Sequence, residues 1–221
     1  NNGFNLITIV SSKETQVPSA GQFYMLQVGG TYDPLLKRPF SIFEKNGSSL
    51  SFLYRVRGKG TSCLASLSKG DIIQAIGPLG SAYPEPEENF IVVAGGVGMA
   101  SLFSLLKRFK SKAYVFYGAQ SKNELMFTDK IRIFSKRLFT ATDDGSAGKK
   151  ELVTKSFKDF LDLKSEILNL KLPVYACGPF PMLRETARIS SQYNMKCFVS
   201  LEEHMACGIG ACLGCVVKVR D

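Results

Sequence analysis

Three cysteines in a short, glycine-rich run constrain this chain more than any other feature of its sequence. The run Cys207–Cys215 has a C-x4-C-x2-C spacing, and its glycines give the backbone the freedom to fold tightly. Thiolates this close together must surround one small object. The spacing is the plant-type ligand pattern of a 2Fe-2S cluster and predicts such a cluster here. The thiols are those of Cys207, Cys212 and Cys215.

A structural zinc ion is the alternative occupant of this run. Zinc sites are usually built from paired C-x2-C or Cys/His sets, and the only histidine, His204, precedes the run without a matching spacing. The iron-sulfur interpretation is therefore favoured. A plant-type site needs a fourth cysteine, for which Cys197 is a poor substitute. Only six residues follow Cys215, so the fourth ligand could lie beyond Asp221 if the sequence is trimmed there.

The overall composition is that of a folded chain, long enough for two domains of ordinary size or for one large domain. With 221 residues, 45% of them hydrophobic, the chain can bury substantial cores. The net charge of +9 is spread along the sequence without a charged block, which indicates a solvated basic surface. The alternative is that this charge steers anionic dinucleotides or an acidic partner protein. No nucleic-acid-binding motif is present, so no nucleic acid is expected as a partner.

Neither a secretory nor a transmembrane segment is expected. The longest charge-free stretch, Phe90–Leu106, is marginal in length for a bilayer and is broken by glycines. No basic region followed by an apolar core marks a signal peptide. Outside the cysteine run, single cysteines stand at Cys63, Cys177 and Cys197, which is unlike a disulfide scaffold. The sequence therefore predicts a reducing compartment, the cytoplasm.

The first part of the chain, from Phe4 to Ala82, predicts an antiparallel barrel or sandwich. Short alternating runs such as Phe23–Val28 and Ser49–Tyr54 are separated by turn residues. The stretch Pro78–Glu88 is rich in proline and interrupts both helical and strand patterns. We therefore expect a domain boundary there.

After this boundary, apolar runs alternate with amphipathic segments, which predicts a parallel sheet covered by helices. A further strand is predicted at Cys197–Leu201, just before the cysteine run. The strands predicted for the sheet are Phe90–Ala94, Ala113–Tyr117, Leu138–Thr142 and Val174–Ala176. The predicted helices are Ser101–Lys110, Lys122–Lys136, Val153–Leu170 and Met182–Gln192, with a shorter one at Ser62–Leu67 in the first domain.

Two segments of the first domain are suited to binding a phosphate. The tetrapeptide Arg38–Ser41 joins a guanidinium, a hydroxyl and an aromatic ring that can pack against a flat cofactor. Taken alone, it also fits an edge strand that begins with a proline. Further on, Leu53–Arg55 is followed by the glycine-rich turn Gly58–Ser62, and exposed amides at such a helix start suit a pyrophosphate. Two such segments in one domain are stronger evidence for a phosphate-binding site than either segment alone. Tyr54 is more typical of a core residue than of a cofactor contact.

Two turns of the second domain are candidates for binding a dinucleotide. Gly95–Ala100 follows an apolar strand and precedes a helix, where a glycine turn lets backbone amides approach a pyrophosphate. The G-x-G-x-x-G motif is incomplete, because Ser101 replaces its last glycine and no acidic residue ends the next strand. Cys177–Pro179 is expected at the carboxyl edge of the sheet, with Cys177 either structural or reactive beside a nicotinamide. Thr142–Ser146 offers polar groups at the same edge or is a plain loop.

Taken in order, the R-P-F-S and G-K-G-T segments, the G-G-V-G-M-A and C-G-P turns and the cysteine run resemble the ferredoxin reductase superfamily. The chain is most similar to its family of electron-transfer subunits of NAD-linked dihydroorotate dehydrogenase, most strongly over Glu202–Cys215. The implied fold class is multi-domain β plus α/β. Its parts are an FAD-binding antiparallel β-barrel (residues 1–86), a parallel-sheet NAD-binding α/β domain (87–195) and a 2Fe-2S cysteine segment (196–221), incomplete at its C terminus.

The resemblance also implies which residues bind the cofactors. The residues implied for FAD are Arg38, Pro39, Phe40, Ser41, Leu53, Tyr54, Arg55, Gly60 and Thr61. Those implied for NAD are Gly95, Gly96, Val97, Gly98, Met99, Ala100, Cys177, Gly178 and Pro179. The implied cluster ligands are Cys207, Cys212 and Cys215, and the family's fourth cysteine lies past the end of this sequence.

The function implied by the resemblance is that of an oxidoreductase subunit in pyrimidine biosynthesis. A partner subunit oxidises dihydroorotate on its own FMN, and this subunit carries the electrons through 2Fe-2S and FAD to NAD+, in a heterotetramer of two of each subunit. The cluster passes single electrons whereas nicotinamide accepts a hydride, so FAD must stand between them. The cofactors carry the chemistry, so no catalytic side chain is expected.

Two other functions remain open from the sequence. A diaphorase-like subunit of a hydrogenase or ferredoxin-dependent complex can use the same modules to exchange electrons with NAD(P). A noncatalytic assembly or redox-sensing subunit can instead hold zinc, or form a labile disulfide, in the same cysteine run. Bound flavin and a reducible iron-sulfur chromophore distinguish electron transfer from the second of these.

Overall fold

A computed structural model describes residues 3–11, 16–29, 33–163 and 171–218 of the chain. These residues form two compact units. The first unit combines Gly3–Ala82 with the segment that begins at Glu202, and the second unit is Tyr83–Leu201. The cysteine run therefore belongs to the same unit as the N-terminal strands, although the whole second unit lies between them in the sequence.

The first unit is built from antiparallel strands, as its alternating sequence predicts. Its described elements are β1 (Phe4–Val10), β2 (Phe23–Leu26), β3 (Arg38–Ser41), β4 (Glu44–Asn46), β5 (Ser49–Arg55), α1 (Lys59–Ala65) and β6 (Ala75–Leu79). One sheet has the order β1-β5-β4 and the other β3-β2-β6. Both sheets contribute to one core, which includes Tyr24, Phe40 and Phe52.

Helix α1 begins three residues before the predicted start at Ser62 and ends at Ala65 rather than Leu67. The side chain of Thr61 explains the early start. Its Oγ1 accepts hydrogen bonds from the backbone N–H groups of Arg57 (2.9 Å) and Gly58 (3.1 Å). Because these bonds satisfy donors ahead of the first turn, the helix is stable from Lys59 onward.

The second unit is a parallel sheet with helices, which confirms the predicted α/β class. Its described strands are β7 (Phe90–Gly95), β8 (Ala113–Ala119), β9 (Ser135–Thr142), β10 (Lys149–Lys150), β11 (Val174–Cys177) and β12 (Cys197–Ser200). Its described helices are α2 (Met99–Arg108), α3 (Thr128–Phe134), α4 (Val153–Leu163) and α5 (Phe180–Gln192). The strand order is β10-β9-β8-β7-β11-β12, and all neighbouring pairs are parallel.

The prediction of one helix over Lys122–Lys136 is wrong. The structure has a short 3-10 turn at Lys122–Glu124, the helix α3, and then β9, which starts at Ser135 rather than Leu138. Phe127, just before α3, has a left-handed backbone with φ of 57°, which interrupts any continuous helix. Ser135 already pairs with Ala113 of β8, so sheet formation overrides the local helical pattern.

The other predicted elements differ from the structure only at their ends. Helix α4 begins at Val153 as predicted and is described to Leu163, and the rest of its predicted span, residues 164–170, lies outside the described residues. Helix α5 begins at Phe180, directly after the N-cap Pro179, and Pro181 lies in its first turn, where a fixed φ and a missing N–H are tolerated.

Aromatic side chains form much of the core beneath the parallel sheet. Phe116 of β8 stacks on Phe139 of β9, with ring centroids 4.7 Å apart and an interplanar angle of 4°. Phe157 and Phe160 of α4 pack against Phe116 at 5.5 and 5.3 Å. The amphipathic sequence of α4 thus buries its apolar face on the sheet, which fixes the central strands in register. No helix in the described part of the chain is long and apolar enough to span a membrane.

Candidate functional site

The two candidate dinucleotide-binding turns of the second unit touch each other. A β-carbon at Gly98 would lie 2.4 Å from the carbonyl oxygen of Cys177 and 2.7 Å from the amide nitrogen of Gly178. Only glycine permits this approach between two stretches of backbone. Ala94 and Cys177 are paired in register on β7 and β11, so both turns leave the sheet at its carboxyl edge.

Further glycines of these turns are also fixed by close packing. A β-carbon at Gly95 would lie 2.7 Å from Cδ of Pro179 and 2.9 Å from the sulfur of Met182. Gly178 has a φ of 154°, and a β-carbon added there would clash with Met182 and with the backbone of Gly95. The structure therefore brings Gly95–Ala100 and Cys177–Pro179 together as one backbone surface, with Cys177, Met99 and Ala100 buried.

Gly96 differs from its neighbours because it is needed for its backbone conformation rather than for space. Its φ is 51°, and a β-carbon added there would have no described atom within 4 Å. Its carbonyl accepts a hydrogen bond from the backbone N–H of Met99. The backbone of Gly96 therefore lies open to the approach of a ligand, which fits the binding of a dinucleotide pyrophosphate.

Tyr117 is a residue of this edge that the sequence does not reveal as special. Its ring is fully buried in β8, and its hydroxyl lies 3.1 Å from the carbonyl oxygen of Gly96. In a run of apolar strand residues, a tyrosine predicts only a core position. No signal in the sequence marks the contact between this hydroxyl and a turn 21 residues away.

The loop Thr142–Ser146, the other polar candidate at this edge, is largely closed on itself. Oδ1 of Asp144 accepts hydrogen bonds from the backbone N–H (2.9 Å) and the hydroxyl (2.6 Å) of Ser146. These bonds lower the pKa of the Asp144 carboxyl. The hydroxyl of Thr142 donates to the carbonyl of Ala147 at 2.8 Å. The loop is thus a hydrogen-bonded turn, as its plainer interpretation predicts.

In the first unit, the structure brings Arg38 to the glycine-rich turn. A β-carbon at Gly60 would lie 3.2 Å from Nε of Arg38 and 3.1 Å from Cγ2 of Val28. Nη1 of Arg38 donates to the carbonyl of Leu36 at 2.7 Å, which holds the half-buried guanidinium in place. A fixed guanidinium beside a buried glycine amide fits the phosphates of FAD.

Two of the implied FAD segments, Arg38–Ser41 and Leu53–Arg55, meet in the core of the same unit. Phe40 and Tyr54 make an edge-to-face contact with ring centroids 5.6 Å apart. Leu53 and Tyr54 are each only 4% exposed, and burial raises the pKa of Tyr54. Their side chains therefore support the site from beneath. Pro39, Ser41, Arg55 and Thr61 are half-buried at its edges.

The cysteine run packs directly on the sheet β3-β2-β6 of the first unit through Gly208. This residue has φ of 71°, and a β-carbon there would lie 2.6 Å from Cγ of Met25 on β2. The backbone N–H of Cys212 donates to Sγ of Cys207 at 3.4 Å. Hydrogen bonds from the backbone of Cys212 and Ile209 lower the pKa of Cys207 to about 6, so the thiolate is favoured.

The thiol chemistry of this run fits a 2Fe-2S cluster, since thiolates are its ligands and backbone N–H groups stabilise their charge. Cys212 is exposed, while Cys207 and Cys215 are half-buried. Within the described residues, no three His, Cys, Asp or Glu side chains converge on one metal-sized point. Cys197 lies on β12 of the second unit, and burial raises the pKa of its thiol.

Family models match two parts of the chain. The model for the iron-sulfur cluster binding domain of dihydroorotate dehydrogenase B matches residues 202–221, and that for the oxidoreductase NAD-binding domain matches residues 92–188. The first match covers the cysteine run, and the second includes both dinucleotide turns.

Curated relatives match nearly the whole chain. The electron transfer subunit of dihydroorotate dehydrogenase B (NAD(+)) from Caldanaerobacter subterraneus subsp. tengcongensis is 40% identical over 206 residues, which cover 92% of this chain and 78% of the relative. The protein of the same name from Fusobacterium nucleatum is 35% identical over 217 residues, covering 94% of this chain and 80% of its own length.

Solved structures share the fold. An NADH-dependent reduced ferredoxin-NADP oxidoreductase, studied for flavin-based electron bifurcation, superposes with a TM-score of 0.82 at 26% identity over 96% of this chain and 76% of its own. A ferredoxin NADP+ reductase from Neisseria gonorrhoeae, solved with FAD and NADP bound, has a TM-score of 0.67 at 16% identity, covering 91% of this chain and 94% of its own. The second likeness concerns the fold alone.

Proposed function

The chain belongs to the family of electron transfer subunits of dihydroorotate dehydrogenase B (NAD(+)), and we propose that it carries electrons from dihydroorotate to NAD+ in pyrimidine biosynthesis. A partner subunit oxidises dihydroorotate on FMN, and the electrons pass through the 2Fe-2S cluster and FAD of this subunit. The observation that carries this route is the packing of the cysteine run on β2 through Gly208, which joins the cluster loop and the flavin-suited residues in one compact unit.

The cysteine run holds the cluster through Cys207, Cys212 and Cys215. The backbone N–H of Cys212, directed at the sulfur of Cys207, supports the negative charge of that ligand. When bound, a 2Fe-2S cluster and FAD together convert single electrons into the hydride that NAD+ accepts. The protein supplies position and electrostatic support for this conversion.

In the first unit, Arg38 and the amides of Gly60 and Thr61 would hold the phosphates of FAD. Arg38 and Gly60 come from separate segments, and the side chain of Arg38 fills the space that a β-carbon at Gly60 would need, which supports their joint use. The remaining members of the flavin site are Pro39, Phe40, Ser41, Leu53, Tyr54 and Arg55, of which Leu53 and Tyr54 act from the core.

The second unit holds NAD on the joined surface of its two turns. Gly95, Gly96, Val97, Gly98, Met99 and Ala100 form one side, and Cys177, Gly178 and Pro179 form the other. The contact of Gly98 with the backbone of Cys177 supports a single site rather than two separate ones.

The partner subunit docks over the cysteine run. Ile209, Leu213 and Val216 are 64%, 69% and 68% exposed, which gives this loop an unusually apolar surface around the exposed Cys212. We propose that the complex contains two copies of each subunit. We also propose that the protein works in the cytoplasm, since none of the six cysteines forms a disulfide. Native mass spectrometry of the purified complex tests the stoichiometry.

Reconstitution with the dihydroorotate-oxidising subunit tests the proposed function. The complex is expected to reduce NAD+ when dihydroorotate is added under anaerobic conditions. The partner alone is expected to reduce only an artificial acceptor. If the partner alone reduces NAD+ as fast as the complex, the proposal is wrong.

Replacing Arg38 by alanine is expected to weaken FAD retention by about 30-fold, because charge-assisted bonds to a phosphate are lost. The measurement is flavin content by absorbance after gel filtration. Lys69→Ala removes the same charge from an exposed loop of the same unit and is the matched control. Equal flavin content in the two variants would contradict the role given to Arg38.

A further inference from the structure

The hydroxyl of Tyr117 joins three stretches of backbone at the carboxyl edge of the sheet. It donates to the carbonyl of Gly96 at 3.1 Å, and the carbonyl of Glu124 lies 3.3 Å from it. It accepts a hydrogen bond from the backbone N–H of Met126 at 3.0 Å. Burial raises the pKa of Tyr117 to about 12, so the hydroxyl keeps its proton and remains a donor at neutral pH.

The bond to Gly96 bears on the orientation of the next amide. The carbonyl of Gly96 is held by the N–H of Met99 as well as by Tyr117. A peptide group is planar and trans, so a carbonyl that is fixed toward Tyr117 turns the N–H of Val97 the opposite way. The φ of 51° at Gly96 is one that glycine adopts freely and most other residues avoid, so the turn depends on glycine at this position.

We propose that Tyr117 is a positioning residue for NAD, which fixes the Gly96–Val97 peptide so that the N–H of Val97 faces the dinucleotide pyrophosphate. The same hydroxyl ties the segment Glu124–Met126 to the turn, so both flanks of the site are held at one point. The proposal rests on the assignment of Gly95–Ala100 to NAD in the proposed function.

Tyr117→Phe removes the hydroxyl and keeps the buried ring. NAD+ binding, measured by calorimetry on the FAD-loaded protein, is expected to weaken about tenfold, in line with the loss of a buried hydrogen bond. The KM for NADH, with ferricyanide as acceptor, is expected to rise by a similar factor while kcat changes less than about twofold. Flavin and iron contents are expected to stay the same.

Tyr175→Phe is the matched control. Tyr175 is also buried on a strand of this sheet, its hydroxyl donates to a backbone carbonyl, that of Pro84, at 2.9 Å, and its pKa is also raised to about 12. Both variants lose a bond donated to a backbone carbonyl, and Tyr117→Phe also leaves the backbone N–H of Met126 without its acceptor, so it is expected to lose more thermal stability than Tyr175→Phe. Only Tyr117→Phe is expected to weaken NAD+ binding. Equal affinities in the two variants would show that Tyr117 serves stability alone.

Gly96→Ala tests the same peptide by another route and remains informative if Tyr117→Phe does not fold. Alanine meets no described atom there but is strained by the positive φ, so weaker NAD+ binding is expected. In the double variant, the fold loss of NAD+ affinity is expected to be smaller than the product of the two single losses, because both substitutions act on one peptide. If Gly96→Ala binds NAD+ normally, the proposed NAD site is wrong. If it binds weakly while Tyr117→Phe binds normally, only the role of Tyr117 is wrong.

Discussion

Cys212→Ser is expected to abolish electron exchange with the dihydroorotate-oxidising partner while NADH still reduces FAD. Serine keeps the backbone N–H that bonds Cys207, so the local fold of the loop is retained. Its hydroxyl does not ionise near neutral pH and is a poor ligand for iron in place of a thiolate. Dihydroorotate-driven reduction of NAD+ is therefore expected to fall more than about a hundredfold.

Two assays and one control separate this effect from general damage. Rapid mixing with NADH is expected to bleach the flavin of Cys212→Ser at the normal rate, because the second unit and the flavin site are unchanged. Cys63→Ser alters a half-buried thiol of α1, in the same unit but not part of the cysteine run, and is expected to keep full activity. A folded, flavin-loaded Cys212→Ser protein whose FAD is no longer reduced by NADH would contradict this division of labour.

Gly98→Ala is expected to reduce NADH oxidation about a hundredfold without loss of FAD. The added carbon would lie 2.4 Å from the carbonyl oxygen of Cys177, and because the β-carbon is fixed to its own backbone and the oxygen belongs to another, no flexible side chain can move away. Overpacking of this kind costs about 3 kcal/mol, which corresponds to about two factors of ten in affinity. The two turns must separate, and the surface that binds NAD is lost.

Stopped-flow reduction of FAD by NADH measures this effect, with flavin content and thermal unfolding recorded beside it. Ser104→Gly is the control for a weakened α2, since glycine destabilises a helix interior without introducing a clash. It is expected to lower stability and to keep NADH oxidation. Normal NADH oxidation by Gly98→Ala would show that the contact between the turns is not required.

The class of fold is predictable from the sequence because each unit has its own hydrophobic pattern. Alternating runs predict the antiparallel strands, and buried apolar runs between amphipathic segments predict the parallel sheet. The edge of the sheet follows from the same pattern, since residues just after parallel strands must meet there. The sequence pattern thus predicts that Cys177–Pro179 lies at this edge, and the pairing of Ala94 with Cys177 on β7 and β11 places Gly95–Ala100 beside it.

The failures have a common physical cause, which is contact between residues distant in sequence. The segment Lys122–Lys136 looks helical locally, but the left-handed backbone at Phe127 and the pairing of Ser135 with Ala113 divide it. Tyr117 looks like any core residue until its hydroxyl is found at the carbonyl of Gly96. Likewise, nothing in the spacing of the cysteines shows that Gly208 packs on Met25.

The central claim is that this chain links a 2Fe-2S cluster and FAD to NAD. It is tested most directly by an anaerobic titration of the full-length protein with NADH, followed by visible and EPR spectra, with flavin and iron counted. We expect about one FAD and about two iron atoms per chain, bleaching of the flavin, and the EPR signal of a reduced 2Fe-2S cluster. A protein with flavin but no iron, or a colourless protein that holds zinc, would contradict the claim.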